Sequence, residues 1–440
     1  MTQEIDYTQQ PPLKSFGKVT LDFPQSEVLQ NGVKIYVVNG GDQDVNKIEV
    51  IFRGGAFEED TPLQSTMMSS MLVHGSNTYT SLEVAEKLDF YGSWFGARSF
   101  DNHTLISLHS LNRCFPDTLP MLVDLIFNPS FPEKEFELLR HKLIGAYRTA
   151  RDKVKYMAMT EANRMYFGDG HPLATDIQDS DIERITIDDL RRFHKKYYHP
   201  SNCTVILSGK IGDKEIGLVK DAFGNMREDS AADAFGSCPL NISDDRFKLI
   251  DKQDAVQAAV SMMIPAIPRS HPDYIGLRVL VMALGGYFGS RLMSNIREDK
   301  GYTYGISAML LGRRDGACIA INSECGNQYV GPLIEEVKHE IERLRKEPIP
   351  DGELEMVKSY LMSELVKMLD TPFSIASYVE STELFGVSPD YFNRQVECVN
   401  TITPGELQDM AVKYLNTDDL ITVVAGNGRI IEPTLNRLKI

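Results

Sequence analysis

Ile185-Thr186-Ile187-Asp188-Asp189-Leu190, followed by Lys196-Tyr197 and then Thr204-Val205-Ile206-Leu207-Ser208-Gly209, returns near the C-terminus as Ile402-Thr403-Pro404-Gly405-Glu406-Leu407, Lys413-Tyr414 and Ile421-Thr422-Val423-Val424-Ala425-Gly426. The copies align without a gap, position 185 on 402 and position 209 on 426. Each reads as a capping box, an amphipathic helix and a buried strand ending in glycine. A second pair, Pro132-Glu133-Lys134-Glu135-Phe136-Glu137 and Pro350-Asp351-Gly352-Glu353-Leu354-Glu355, recurs at an offset one residue larger. Solenoid units are much shorter, so the pattern implies duplication of a whole domain.

Two halves are therefore expected, residues 1–224 and 247–440. The polar, acidic stretch 225–246, which contains Asn225-Met226-Arg227-Glu228-Asp229 and Asp244-Asp245, would join them. Within the first half, 33–38, 47–52 and 104–108 read as strands with partly alternating faces, and 115–126, 132–149 and 188–198 as helices. Strands and helices mix without regular β-α alternation, which predicts an α+β class: two homologous domains, each a mostly antiparallel sheet packed with helices.

The chain has 440 residues, 42% of them apolar, enough for a large core. Its 46 basic and 62 acidic side chains leave a net charge of −16, which argues against nucleic acid and anionic membrane surfaces as partners. No run of 18 apolar residues occurs. Met1-Thr2-Gln3-Glu4-Ile5-Asp6 lacks the basic and apolar regions of a signal peptide, so a cytoplasmic location is expected. The cysteines 114, 203, 238, 318, 325 and 398 are scattered without a C-x-x-C pair, which suits a reducing compartment. No two histidines sit four apart on one helix face.

Thr61-Pro62-Leu63-Gln64 reads as a helix start with Thr61 as N-cap, and Gly75 as the stop. Thr80-Ser81-Leu82-Glu83 is a second capping box opening a helix through Ala85, Leu88 and Phe90. This order resembles the pitrilysin (insulinase) metallopeptidase family, which includes the mitochondrial processing peptidases and the respiratory core proteins. The resemblance spans the chain from about residue 28 onward and implies two halves closing like a clamshell around a peptide chamber. In active members the first helix carries H-x-x-E-H, two zinc ligands and a general base. Aligned on Met71-Leu72-Val73-His74-Gly75-Ser76, those positions fall on Thr66, Ser69 and Ser70. The third ligand, a Glu on a later helix, falls on Gly145 or Ala146. Neutral hydroxyls are poor zinc ligands, so no metal is expected in this chain.

The resemblance implies two further sites. Gly285-Gly286-Tyr287-Phe288-Gly289-Ser290-Arg291-Leu292 lacks the Gly-Lys-Ser/Thr of a P-loop. It looks instead like the family's turn, helix and turn in which an Arg and a Tyr reach substrate beside the zinc, here Arg297 and Tyr304. Tyrosine can donate to a carbonyl oxygen gaining charge, and arginine offers a fork of donors. An extended peptide in the family adds to a sheet edge, which maps onto Gly96, Ala97, Arg98 and Ser99. Active members commonly have Asn-Ala where this chain has Gly96-Ala97. Trp94, the sole tryptophan, reads as a core residue.

In two-chain members one chain holds zinc and the other supplies Arg and Tyr. The expectation is a proteolytically inactive subunit of a zinc metallopeptidase heteromer that binds extended peptide, with the zinc in a homologous partner chain. The alternative is a structural or peptide-binding scaffold with no role in hydrolysis, as the respiratory core proteins are.

Overall fold

Both capping boxes that mark the repeat form. Thr186 Oγ1 accepts from the Asp189 N–H (3.2 Å) while the Asp189 carboxylate accepts from the Thr186 N–H (2.6 Å), opening the Ile187–Tyr197 helix. Thr403 and Glu406 do the same for the Pro404–Tyr414 helix, with Pro404 preset in its first turn. In the computed structural model, which describes residues 8, 17–226, 238–313 and 316–436, each of these helices delivers its strand into the interior of a sheet.

The first sheet holds β1 (Ser26–Val28), β2 (Lys34–Asn39), β3 (Val45–Arg53), β4 (Trp94–Ser99), β5 (His103–Leu111) and β6 (Cys203–Gly209), in the order β1-β2-β6-β3-β5-β4. The second holds β7 (Phe247–Asp251), β8 (Gln257–Pro265), β9 (Thr303–Leu311), β10 (Cys318–Gly326) and β11 (Ile421–Gly426), in the order β7-β11-β8-β10-β9. Leaving β1 aside, the two orders coincide. Each sheet has one parallel pair, β2 with β6 and β7 with β11; its other pairs are antiparallel. The registers correspond as well: Val205 lies between Ile35 and Val50, and Val424 between Leu249 and Val260. Both repeat strands end in glycine for the same reason. A Cβ on Gly209 would sit 2.4 Å from the Val45 oxygen, and one on Gly426 would sit 2.7 Å from Ala258 Cβ.

One face of each sheet is covered by helices of its own half. Val50 and Val205 pack with Leu119, Leu122 and Leu190 in the first core, and Val260 and Val424 with Leu333, Val337 and Leu407 in the second. The opposite faces are covered by exchange. The Val154–Phe167 helix, which follows the first sheet's own cover in sequence, lies on β8 and β11 of the second sheet, with Ala158, Ala162, Met165 and Tyr166 against Ala259, Met263, Val423 and Ala425. Tyr166 is fully buried and its hydroxyl donates to the Ala317 carbonyl at 2.6 Å. In return the Pro372–Phe385 helix lies on β2 and β6, with Ala376 and Val379 against Tyr36, Val38 and Ile206. Glu383 on that helix accepts from Lys34 Nζ at 2.8 Å and from the Tyr36 hydroxyl.

The architecture is thus the expected α+β clamshell of two homologous halves. Of the 225–246 connection, residues 227–237 lie outside the described residues. The six cysteines are free, with Cys203, Cys318 and Cys325 buried. Among the described residues no helix is long and apolar enough to cross a membrane.

Because each sheet depends on a helix from the other half, a cavity cut at Tyr166 should weaken both. Tyr166→Ala is expected to lower stability by about 3–5 kcal/mol, as truncation of a buried aromatic does, while urea unfolding stays a single transition by circular dichroism. Two separated transitions would contradict the exchange as a stabilising contact.

Candidate functional site

The helix expected to start at Thr61 starts later, and the cause is a carboxylate. Glu59 accepts from the Leu63 N–H (2.9 Å) through one oxygen, and from the Ser65 N–H (2.7 Å) and the Ser65 hydroxyl through the other. It therefore takes over the capping assigned to Thr61, and the helix runs Gln64–Met71. The turn leaves Leu63 left-handed at φ 71°, a conformation that costs a non-glycine residue on the order of 1–3 kcal/mol. Met67, Met68 and Met71 are fully buried, so apolar packing anchors the helix. A single 3-10 turn carries the chain on to Gly75, and the next helix, Ser81–Tyr91, opens on the Thr80–Glu83 capping box as read.

Thr66 and Ser70 are half-buried on this helix and Ser69 is buried, its hydroxyl donating back to the Thr66 carbonyl at 3.1 Å. Gly145 and Ala146, on the Glu133–Arg151 helix, are both exposed, and a Cβ on Gly145 would meet open space. The side chain of that helix which senses the site is Tyr147: burial and then the nearby Glu59 charge push its hydroxyl pKa up. Zinc, which the family resemblance implies for active members, does not fit this donor set. Thr66, Ser69 and Ser70 offer only neutral hydroxyls, Gly145 and Ala146 offer no donor side chain, and the oxygens of the one nearby carboxylate, Glu59, are already occupied by N–H and O–H donors. Among the described residues no three His, Cys, Asp or Glu side chains converge elsewhere as a metal site.

The sheet edge expected to take peptide lies beside this helix. β4 is the last strand of its sheet and pairs only with β5. Ser99 Oγ donates to Ser65 Oγ at 2.7 Å, tying the strand to the helix start. Gly96 and Ala97 are half-buried, and Arg98 is exposed with its guanidinium 4.9 Å from the Phe100 ring. Trp94 is not a core residue: it is 63% exposed at the start of this edge, tilted 5.1 Å from His109. At the first position of an edge strand, the indole is flanked on one side only, by the cross-strand His109 opposite it.

Arg297 and Tyr304 lie on the second half. Arg297 sits on the wide helical turn Met293–Asp299, 4.6 Å over the Phe288 ring and paired with Glu298 at 2.9 Å. Tyr304, on the edge strand β9, is 92% exposed. It lines a cavity of 500 Å³ whose other wall is the exchanged Val154–Phe167 helix, through Lys155 and Met159, with Glu324 opposite and 3.8 Å from the Lys155 ammonium. Tyr302 faces differently, stacked on Tyr329 at 5.0 Å. Among the described residues neither Arg297 nor Tyr304 shares a hydrogen bond or ion pair with the Gln64–Met71 helix or β4. The features that residue patterns did not supply are Glu59, Tyr147 and the Lys155 wall. Glu59, an acid just ahead of the helix start, was the one with a local signal.

Burial raises the Glu59 pKa to about 7, against the opposing pull of its N–H and O–H donors. A folded-state pKa above the unfolded one means that Glu59 contributes stability at low pH, and that this share is lost as pH rises through about 7. The stability gap between the protein and its Glu59→Gln variant should therefore narrow between pH 5 and pH 8.5, by a few kcal/mol at most. Urea titrations at stepped pH measure it, and a gap independent of pH would contradict the assignment.

Residues 184–361 match the family model described as the peptidase M16 inactive domain. Over 406 residues the chain is 23% identical to the uncharacterized zinc protease YmxG of Bacillus subtilis, covering 91% of this chain and 98% of that protein. It is 24% identical to an uncharacterized zinc protease of Mycobacterium bovis over 76% of this chain and 77% of the other. The fold matches the crystal structure of a peptidase M16 inactive domain from Pseudomonas fluorescens with a TM-score of 0.85 at 20% identity, covering 92% of this chain and 98% of that one. A protease from Helicobacter pylori matches with a TM-score of 0.82 at 17% identity, over 92% of this chain and 100% of that one. Together with the doubled sheet and the helix order around Thr66, Ser69 and Ser70, these matches make the chain similar to the M16, or pitrilysin/insulinase-type, peptidases: residues 184–361 match that family's inactive domain, the fold is shared along nearly the whole chain, and the sequence carries no H-x-x-E-H motif.

Proposed function

We propose that this protein is the metal-free subunit of a zinc metallopeptidase heteromer, binding extended peptide along β4 and supplying Arg297 and Tyr304 to a homologous, zinc-bearing partner chain. The observation that carries this reading is Tyr304, a tyrosine 92% exposed on a cavity wall while its neighbour Tyr302 is stacked away. Burial of the ring would normally be favourable, so a tyrosine held out in the open has work that lies outside its own chain. The pair has no bond to the degenerate zinc helix, which fits a role at a second chain's site. The free edge of β4 at Gly96, Ala97, Arg98 and Ser99 offers backbone groups to an extended peptide whatever its sequence. Unbridged thiols suit a reducing, cytoplasmic setting. No step of hydrolysis is assigned to residues 66, 69 and 70; the metal and its general base belong to the partner.

The test is reconstitution with an H-x-x-E-H homologue from the same organism. The mixture is expected to cleave peptide where neither chain does so alone. In it, Tyr304→Phe should lower turnover on the order of a hundred- to a thousandfold, the usual cost of one donor to a developing oxyanion. Arg297→Ala should also raise KM, and Tyr302→Phe should be nearly silent. A homologue fully active without this chain would leave the scaffold reading in its place.

A further inference from the structure

On its second face the exchanged Pro372–Phe385 helix closes a cavity of 460 Å³ against the Tyr274–Val281 helix, β9 and the Tyr391–Thr401 helix. Two guanidiniums, Arg269 and Arg278, line it, and no carboxylate does. That sets the cavity apart in a chain of net charge −16, in which Arg140, Arg148, Arg164 and Arg291, for example, are each paired with a carboxylate. Arg269 is held in place without being neutralised. Its Nη1 donates to Ser381 Oγ at 2.7 Å, its plane lies 3.8 Å from the Phe385 ring centre, and its buried Nε has no partner. The Arg278 guanidinium makes no hydrogen bond or ion pair among the described residues. Tyr391 is 5% exposed, and its hydroxyl is buried without a partner. Both arginine charges act on the hydroxyls of Tyr378 and Tyr391, against the upward push of burial, so the two cations converge on one region.

Two like charges and an unsatisfied hydroxyl in one cavity are costly unless an anion completes them. Met282, Met309, Met368 and Val387 form an apolar stretch of the wall, beside the polar side chains of Ser374, Ser377, Thr382 and Gln395. Methionines adapt to varied apolar shapes, and the volume falls in the range of small-molecule sites. A bare inorganic anion would leave that wall in contact with water.

The geometry points to a binding site for an organic carboxylate with an apolar body, its head between Arg269 and Arg278 and its body against the methionines. A guanidinium pairs with a carboxylate through parallel N–H donors, and Tyr391 supplies a further donor. The ligand would bridge the Pro372–Phe385 helix to the second half while the same helix covers the first sheet. This site shares no lining residue with Arg297 or Tyr304, so its failure leaves the proposed partnership untouched.

Calorimetric titration of the full chain tests it, with decanoate and acetyl-trileucine as acids, decanol and acetyl-trileucine amide as their uncharged counterparts, and inorganic phosphate at matched ionic strength. At least one acid is expected to bind saturably and better than its uncharged counterpart and phosphate; the tighter acid distinguishes a fatty-acid source from a peptide C-terminus. Arg278→Met, which keeps most of the side chain's apolar stem, should weaken that binding by roughly tenfold or more, the loss of one charge-assisted pair. Hydrogen exchange on the unmodified protein, which needs no variant to fold, should show the bound acid protecting the 372–395 region. Acid and uncharged counterpart binding equally, binding unchanged in Arg278→Met, or no protection of 372–395 would overturn the site.

Discussion

Each sheet of this protein borrows the cover of one face from the other half, and that exchange constrains everything else. The Val154–Phe167 helix buries Ala162 and Tyr166 on the second sheet, and the Pro372–Phe385 helix buries Ala376 and Val379 on the first. Removing either helix would bare an apolar sheet face whose strand β11 is buried throughout and whose strand β6 is buried at every residue but Thr204. The halves therefore cannot swing apart without breaking two cores. On the proposed function, a peptide would reach the chain along an exposed edge or across an interface with another chain, and β4 and Tyr304 are such exposed positions.

The same packing explains how this fold stands without a zinc-ligand set on the Gln64–Met71 helix. The Gln64–Met71 helix is held by three fully buried methionines and capped by Glu59. Neither contact needs a metal. Thr66, Ser69 and Ser70 can occupy ligand positions at no cost to the fold, since small hydroxyls satisfy themselves on nearby backbone, as Ser69 does on Thr66. Glu59 is a partly buried acid beside Tyr147, its carboxyl pKa raised by burial.

What the residues announced and what they hid follow from range. The duplication, the capping boxes at Thr80, Thr186 and Thr403, and the glycine-terminated strands are local signals, legible because the same few residues decide them. The helix start at Thr61 was misleading, because Glu59 is a better cap two residues earlier in sequence and wins the same N–H groups. Trp94 looked like core by its size alone; strand order, a tertiary property, puts it on an open edge. The Val154–Phe167 helix has a weak apolar stripe, and nothing local says that it covers a distant sheet. The arginine cavity is assembled from four separated segments and had no local signature at all.

The central proposal is that the chain keeps this fold without binding zinc at the Gln64–Met71 helix. Equilibrium dialysis of the isolated protein against buffered free zinc, followed by elemental analysis, tests it most directly. The account predicts no stoichiometric zinc at free concentrations that saturate ordinary catalytic sites. One tightly held equivalent, lost when Ser70 and Glu59 are replaced by alanine, would contradict it.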